Sequence, residues 1–178
     1  MTGENNCQQA TWVQSAVERY EAQLVRYATR LTGNIEEARD VVQETFLRLC
    51  RQDAQELDGH LAEWLFTVCR RRALDVMKKE TRMTTLKEHP AELSAGPAAD
   101  HVAALEKRET SDEILAALGA LPEKQQEVVR LKFQASLSYR EISQVTGLTT
   151  SNVGYLIHTA IKTIREQLAT EAKPPHKE

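Results

Sequence analysis

Ser138-Tyr139-Arg140-Glu141-Ile142-Ser143, then Gly147-Leu148-Thr149-Thr150 and Ser151-Asn152-Val153, reads as two helices joined by a tight turn. Ser138 is placed to cap the first helix, and Glu141, three residues on, completes a capping box. Gly147 supplies the positive-φ residue that ends it. Thr149 or Thr150 caps a longer second helix, apolar on one side through Val153, Leu156, Ile157, Ala160, Ile161 and Ile164. Helix, glycine-containing turn and longer helix form the helix-turn-helix layout, whose second helix enters the major groove of DNA. That motif alone implies DNA binding and leaves the rest of the chain unexplained.

The composition points to helices. The 178 residues hold seven glycines and five prolines among many Ala, Leu, Glu, Gln and Arg, and no run alternates β-branched residues between hairpin turns. The fold class expected is all-α, as two small helical domains joined by a flexible linker. A formal net charge of −3 excludes a uniformly basic coat but not a local basic face. Three well-separated cysteines, Cys7, Cys50 and Cys69, offer neither a disulfide framework nor metal-ligand spacing, so no cofactor or metal is expected. Cys50 and Cys69 lie in apolar helical patterns and read as buried, reduced thiols. With neither a membrane span nor a signal-peptide layout, the reading is a cytoplasmic protein without direct membrane insertion.

Residues 1–10 read as frayed, and helix begins near Thr11, burying Val13, Val17, Tyr20, Leu24, Tyr27, Ala28 and Leu31 before Gly33 stops it. Asn34, with Glu37 as reciprocal partner, caps a second helix with Ala38, Val41, Val42, Thr45, Phe46 and Leu49 inward. After a polar connection, a third helix from about His60 to Lys79 carries Leu61, Trp64, Leu65, Val68, Ala73 and Val76 as its apolar set. Its second half is basic, with Arg70, Arg71, Arg72, Lys78 and Lys79 set against Asp75 and Glu80. Basic last turns suit the helix dipole, but an arginine triplet spreads round the helix and also fits a phosphate-contacting surface.

Pro90, Gly96 and Pro97 mark a linker over 81–99, dividing a domain at 11–80 from one at 100–170. The second domain is expected to resume helix at Asp100, using Val102, Leu105, Ile114, Leu115 and Leu118. Leu121-Pro122-Glu123 starts a further helix with proline first, burying Val128, Val129, Leu131 and Phe133. Pro174-Pro175 end the structure.

Four blocks now carry a resemblance. Asp40-Val41-Val42-Gln43-Glu44-Thr45-Phe46-Leu47-Arg48-Leu49 resembles the signature helix of the second domain of bacterial sigma factors. Trp64-Leu65-Phe66-Thr67-Val68-Cys69-Arg70-Arg71-Arg72-Ala73-Leu74-Asp75 looks like the helix that follows it. Leu121-Pro122-Glu123-Lys124-Gln125-Gln126-Glu127-Val128 and the helix-turn-helix are similar to the fourth domain. With only these two domains, the chain resembles the extracytoplasmic-function group of the sigma-70 family over roughly Tyr20 to Leu168.

The resemblance implies an alternative sigma factor with no catalytic chemistry of its own. It implies core RNA polymerase and promoter DNA as partners, an anti-sigma factor as a third, and no small-molecule substrate. Asp40, Gln43, Glu44, Leu47 and Arg48 would face polymerase. Arg70, Arg71, Arg72, Lys78 and Lys79 would hold phosphates of the melted −10 strand, where Asp75 either orients an arginine or meets a base. Relatives often carry asparagine where this chain has Arg71, so no individual base contact follows. Trp64 offers a stacking surface, but its place in the apolar stripe favours the core. At the −35 duplex the groove-facing residues would be Thr150, Ser151, Asn152, Tyr155, His158, Thr159 and Lys162. His158 suits a phosphate contact or a neutral hydrogen bond. Gly154, Leu156, Thr159 and Ile161 stand where lysine or arginine is common in the family. Either polymerase supplies the missing avidity or this helix also meets a protein.

Two other classes compete. A stand-alone helix-turn-helix regulator explains the C-terminal half but leaves the 40–49 and 70–79 blocks idle. A helical enzyme built on Asp40 and Glu44, or on His60 and Glu63, lacks converging ligands and a nucleophile motif.

Overall fold

The computed structural model describes residues 2–84 and 113–171. Among them every regular element is helical. The chain divides into two compact units, Met1–Gly96 and Pro97–Glu178. Of the linker expected over 81–99, residues 81–84 instead continue the preceding helix, since no proline or glycine stops it there. Residues 85–99 and the helix expected from Asp100 to residue 112 lie outside the described residues.

In the first unit α1 (Thr2–Thr32), α2 (Ile35–Leu49) and α3 (Leu61–Thr84) pack against one another. Gly33, at φ 74°, ends α1 with its N–H on Thr29 O, a backbone conformation that costs a side-chain-bearing residue about 1–2 kcal/mol. Asn34 then caps α2 by accepting the Glu36 N–H at 2.9 Å. The core joins Leu24, Tyr27 and Ala28 of α1, Val41, Phe46 and Leu49 of α2, and Leu65, Phe66, Cys69 and Ala73 of α3. Each large apolar side chain so buried contributes about 1.5–3 kcal/mol.

Four expectations change here. Helix α1 starts at Thr2 rather than near Thr11: once nucleated a helix propagates cheaply, and Gln9 Nε2 adds a bond to Gln52 O at 2.8 Å. Phe66, absent from the expected stripe, is 1% exposed and meets Tyr27 edge-on at 5.4 Å, because α3 packs on two helices and needs a wider apolar face. Trp64 is only half-buried. Cys50 is exposed, since it is the C-cap residue of α2, where the chain leaves the bundle; Cys69 is buried as expected.

In the second unit, helical residues 113–119 lead through a short turn into α4 (Glu123–Phe133), α5 (Tyr139–Thr146) and α6 (Thr150–Glu171). Pro122 is the cap of α4, one position before the helix, and its carbonyl accepts from Gln125 and Gln126 N–H. Gln126 reaches back, its Nε2 donating to Gly119 O and Leu121 O at 2.9 and 2.8 Å, which satisfies carbonyls the preceding helical stretch leaves open. Leu118, Leu121, Val129 and Ala160 form one core cluster, with Ile164 against it. Val128, Leu131, Ile142, Val153 and Ile157 are buried as well.

Phe133 is 61% exposed instead of buried: two residues past Leu131, it lies on the opposite side of α4. Ile114 and Leu115 are likewise exposed, and only Leu118 of that trio is buried.

Candidate nucleic-acid and polymerase interfaces

Three surfaces collect the residues singled out from the sequence. The first lies on α2. Asp40, Gln43, Glu44, Leu47 and Arg48 fall at i, i+3, i+4, i+7 and i+8, so they share one face opposite the buried stripe. All are exposed except half-buried Glu44. Leu47, at 57% exposure, is an apolar side chain standing in water among polar neighbours, which burial in an interface would relieve. The Glu44 carboxylate is shared: Oε1 accepts from Arg48 Nη2 at 2.7 Å and Oε2 from Arg72 Nε at 2.8 Å.

Behind this face lies a buried polar pair, Thr45 and Cys69. Thr45 is fully buried, its hydroxyl donating to Val41 O at 2.8 Å. Burial pushes the Cys69 thiol up to about 12, while a side-chain hydrogen bond with Thr45 pulls the other way. The thiol therefore stays protonated and inert.

The second surface is on α3. Arg71, Asp75, Lys78 and Lys79 are exposed along one side, at i, i+4, i+7 and i+8. Arg70 and Arg72 are half-buried at its flanks. Three of the four exposed residues are cationic, so this side carries a positive field despite the acidic whole. Of the triplet, Arg72 turns toward α2 and Glu44, while Arg71 points to solvent. The sequence grouped Arg72 with the strand-holding residues, and nothing in the one-dimensional pattern shows which way each arginine turns.

The third surface is the helix-turn-helix, built as the sequence reads. Ser138 Oγ accepts the Glu141 N–H at 3.3 Å, and Glu141 Oε2 accepts the Ser138 N–H at 2.6 Å. Gly147 ends α5 at φ 75°. Ser143 Oγ donates to Leu148 O at 2.6 Å and ties the turn to α5. Thr149 Oγ1 accepts the Asn152 N–H and caps α6. Val153, Ile157 and Ala160 are buried, which turns Ser151, Tyr155, His158 and Lys162 outward along one stripe. Thr150 and Asn152 are exposed at the tip, Thr159 is half-buried, and Tyr155 is 66% exposed. Lys162 has Glu166 at 3.8 Å, both exposed, so this face carries little net positive charge.

Among the described residues no three His, Cys, Asp or Glu side chains converge as a metal site, and no helix is long and apolar enough to cross a membrane. His60 and Glu63 stand 4.0 Å apart at the start of α3.

These surfaces coincide with two family patterns. The pattern described as Sigma-70 region 2 matches residues 16–83, and that described as Sigma-70, region 4 matches residues 111–164. The chain belongs to the sigma-70 family. It falls in the extracytoplasmic-function group of that family. It is similar to RNA polymerase sigma factor SigV of Bacillus subtilis, 25% identical over 82% of this chain and 84% of the relative. ECF RNA polymerase sigma factor SigW of the same organism is 26% identical, over 85% and 86%. ECF RNA polymerase sigma factor SigE of Mycolicibacterium smegmatis is 29% identical over 86% of this chain, which spans 60% of that longer relative. Among solved structures, CnrH in complex with the cytosolic domain of CnrY shares the fold, with a TM-score of 0.57 over 94% of this chain and 96% of CnrH at 20% identity. A sigma factor with these two regions directs transcription initiation through core RNA polymerase and promoter DNA.

Proposed function

We propose that this sigma factor docks on core RNA polymerase with the exposed face of α2, holds the melted −10 strand with α3, and reads the −35 duplex with α6. The carrying observation is that α2 and α3 present different chemistries side by side on one bundle. The α2 face mixes Asp40, Gln43, Glu44 and Arg48 around exposed Leu47, as a protein partner would require. The α3 side presents Arg71, Lys78 and Lys79, as a backbone of phosphates would.

Residues 11–80 and 100–170 are the proposed working domains, with 81–99 between them. The sparse charge of α6 suits a reader delivered by polymerase, whose other contacts raise its effective concentration at the duplex. Thr150, Ser151, Asn152, Tyr155, His158, Thr159 and Lys162 are the proposed groove-side contacts. The protein acts by binding, not by catalysis, and works where polymerase does, in the cytoplasm. Control by an anti-sigma factor belongs to the same reading and rests on the family resemblance.

Transcription in vitro with purified core enzyme tests it. Adding the protein should direct initiation at discrete promoters from a pool of genomic templates. Its failure to do so on every template, together with DNA binding in the absence of core, would instead indicate a stand-alone helix-turn-helix regulator. Asp40→Ala with Gln43→Ala should weaken association with core while leaving the helical content intact.

A further inference from the structure

Glu44 stands where two of the proposed surfaces meet. One of its carboxylate oxygens accepts from Arg48, a turn further along α2, and the other from Arg72 of α3. Both oxygens are engaged, and the side chains of the interhelical pair are 36% and 39% exposed. The Arg39–Glu36 pair on the same helix is far more open, at 63% and 73%, and is the more screened of the two. Arg48 already limits the rotamers of Glu44, so the second bridge costs little additional side-chain freedom. Arg72 follows Arg71 by one residue, about 100° round α3, which is what aims one guanidinium at α2 and leaves its neighbour in solvent.

We propose that Arg72 is a positioning residue of the polymerase-docking face and not a contact to DNA. Its guanidinium fixes the Glu44 carboxylate, and through it Arg48, in the arrangement that α2 presents beside Asp40, Gln43 and Leu47. A partner then meets a charge cluster whose side chains are already ordered, so less freedom is lost on docking. Turning Arg72 toward a phosphate would break this bridge and leave Glu44 held from one side only. This inference rests on the reading of α2 as the element that faces polymerase.

Two titrations of the full-length protein test it. One measures affinity for core polymerase without DNA. The other measures capture of a single-stranded −10 oligonucleotide by holoenzyme preassembled with saturating protein. Arg72→Gln should weaken core affinity about two- to five-fold, the scale of a partly exposed ion pair. Arg72→Lys, which keeps the charge, should recover most of that loss. In a Glu44→Gln background Arg72→Gln should cost nothing more, a coupling in affinity that a general loss of stability would not produce. Oligonucleotide capture should be unchanged by Arg72→Gln and reduced by Arg71→Gln. Unchanged core affinity for Arg72→Gln overturns the proposal, as does reduced oligonucleotide capture with a salt slope shallower by about 0.7, the mark of a lost phosphate contact. Asp40→Ala separates the two failures. If it weakens core binding and Arg72→Gln does not, only the positioning role falls; if neither does, the docking reading falls with it.

Discussion

At the scale of single residues, the two described thiols differ in a way the sequence does not show. Cys50 and Cys69 sit in similar apolar patterns, yet one caps a helix in solvent and the other is sealed behind Thr45. Iodoacetamide at pH 8 should alkylate Cys50 in the native protein and spare Cys69 until denaturant is added, as mass spectrometry of the peptides would read. The pH dependence has a definite sign. The folded thiol holds its proton up to about 12, against an ordinary value of 9.0. Its contribution to stability is therefore intact below pH 9 and lost as pH rises toward 12, because only the unfolded chain then releases the proton. The melting temperature should fall over that window more steeply than in Cys69→Ala. Gly147 makes the second residue-scale case. Its φ of 75° is costly for any residue with a Cβ, although no atom stands within 4 Å of where that Cβ would go. Gly147→Ala should thus destabilise the second unit by about 1–2 kcal/mol through backbone strain alone, measurable by urea denaturation.

At the scale of elements, legibility followed the strength of the local signal. The helix-turn-helix was fully legible, since a capping box, a positive-φ glycine and a threonine cap each act within a few residues. The inward face of α2 was legible from its spacing for the same reason, as was that of α1 from Tyr20 to Ala28. In α1, Val13, Val17 and Leu31 are only half-buried, and Ala16, 3% exposed, was missed. Helix α3 was read less well. Its face is wider than a single stripe because it packs on both other helices, so Phe66 was missed and Trp64 over-assigned to the core. The start of α1 was missed because Gln9 anchors it to Gln52, a bond across 43 residues of sequence. The candidate surfaces were readable as faces but not as partnerships: which arginine of the triplet turns toward Glu44 depends on how α3 is rotated against α2. The exposed side of α3 yields its own prediction. Arg71, Lys78 and Lys79 are exposed, show no ion pair among the described residues, and are the proposed phosphate contacts. Changing all three to glutamine should lower single-strand binding by the holoenzyme and flatten its salt dependence by about two units, roughly 0.7 for each contact. Core affinity should hold, and an unchanged salt slope would remove α3 from the strand-holding role.

At the scale of the whole molecule, each unit closes a core from its own helices. Leu65 is fully buried among α1, α2 and α3, and Ile142 is fully buried within the helix-turn-helix unit. Truncating either leaves a cavity costing about 2–5 kcal/mol, a large share of what a small domain possesses. Each loss should fall mainly on the transition of its own unit. Calorimetry of Leu65→Ala should move one component of the unfolding profile, and Ile142→Ala the other. The functional consequences should separate in the same way. Ile142→Ala removes the support beneath α6, so protection of the −35 duplex should be lost while association with core polymerase through α2 persists. Leu65→Ala loosens the bundle that sets α2 against α3, so core association and −10 strand capture should fall together. Equal loss of core association in both variants would mean that docking depends on the two units jointly, and that α2 alone does not carry it.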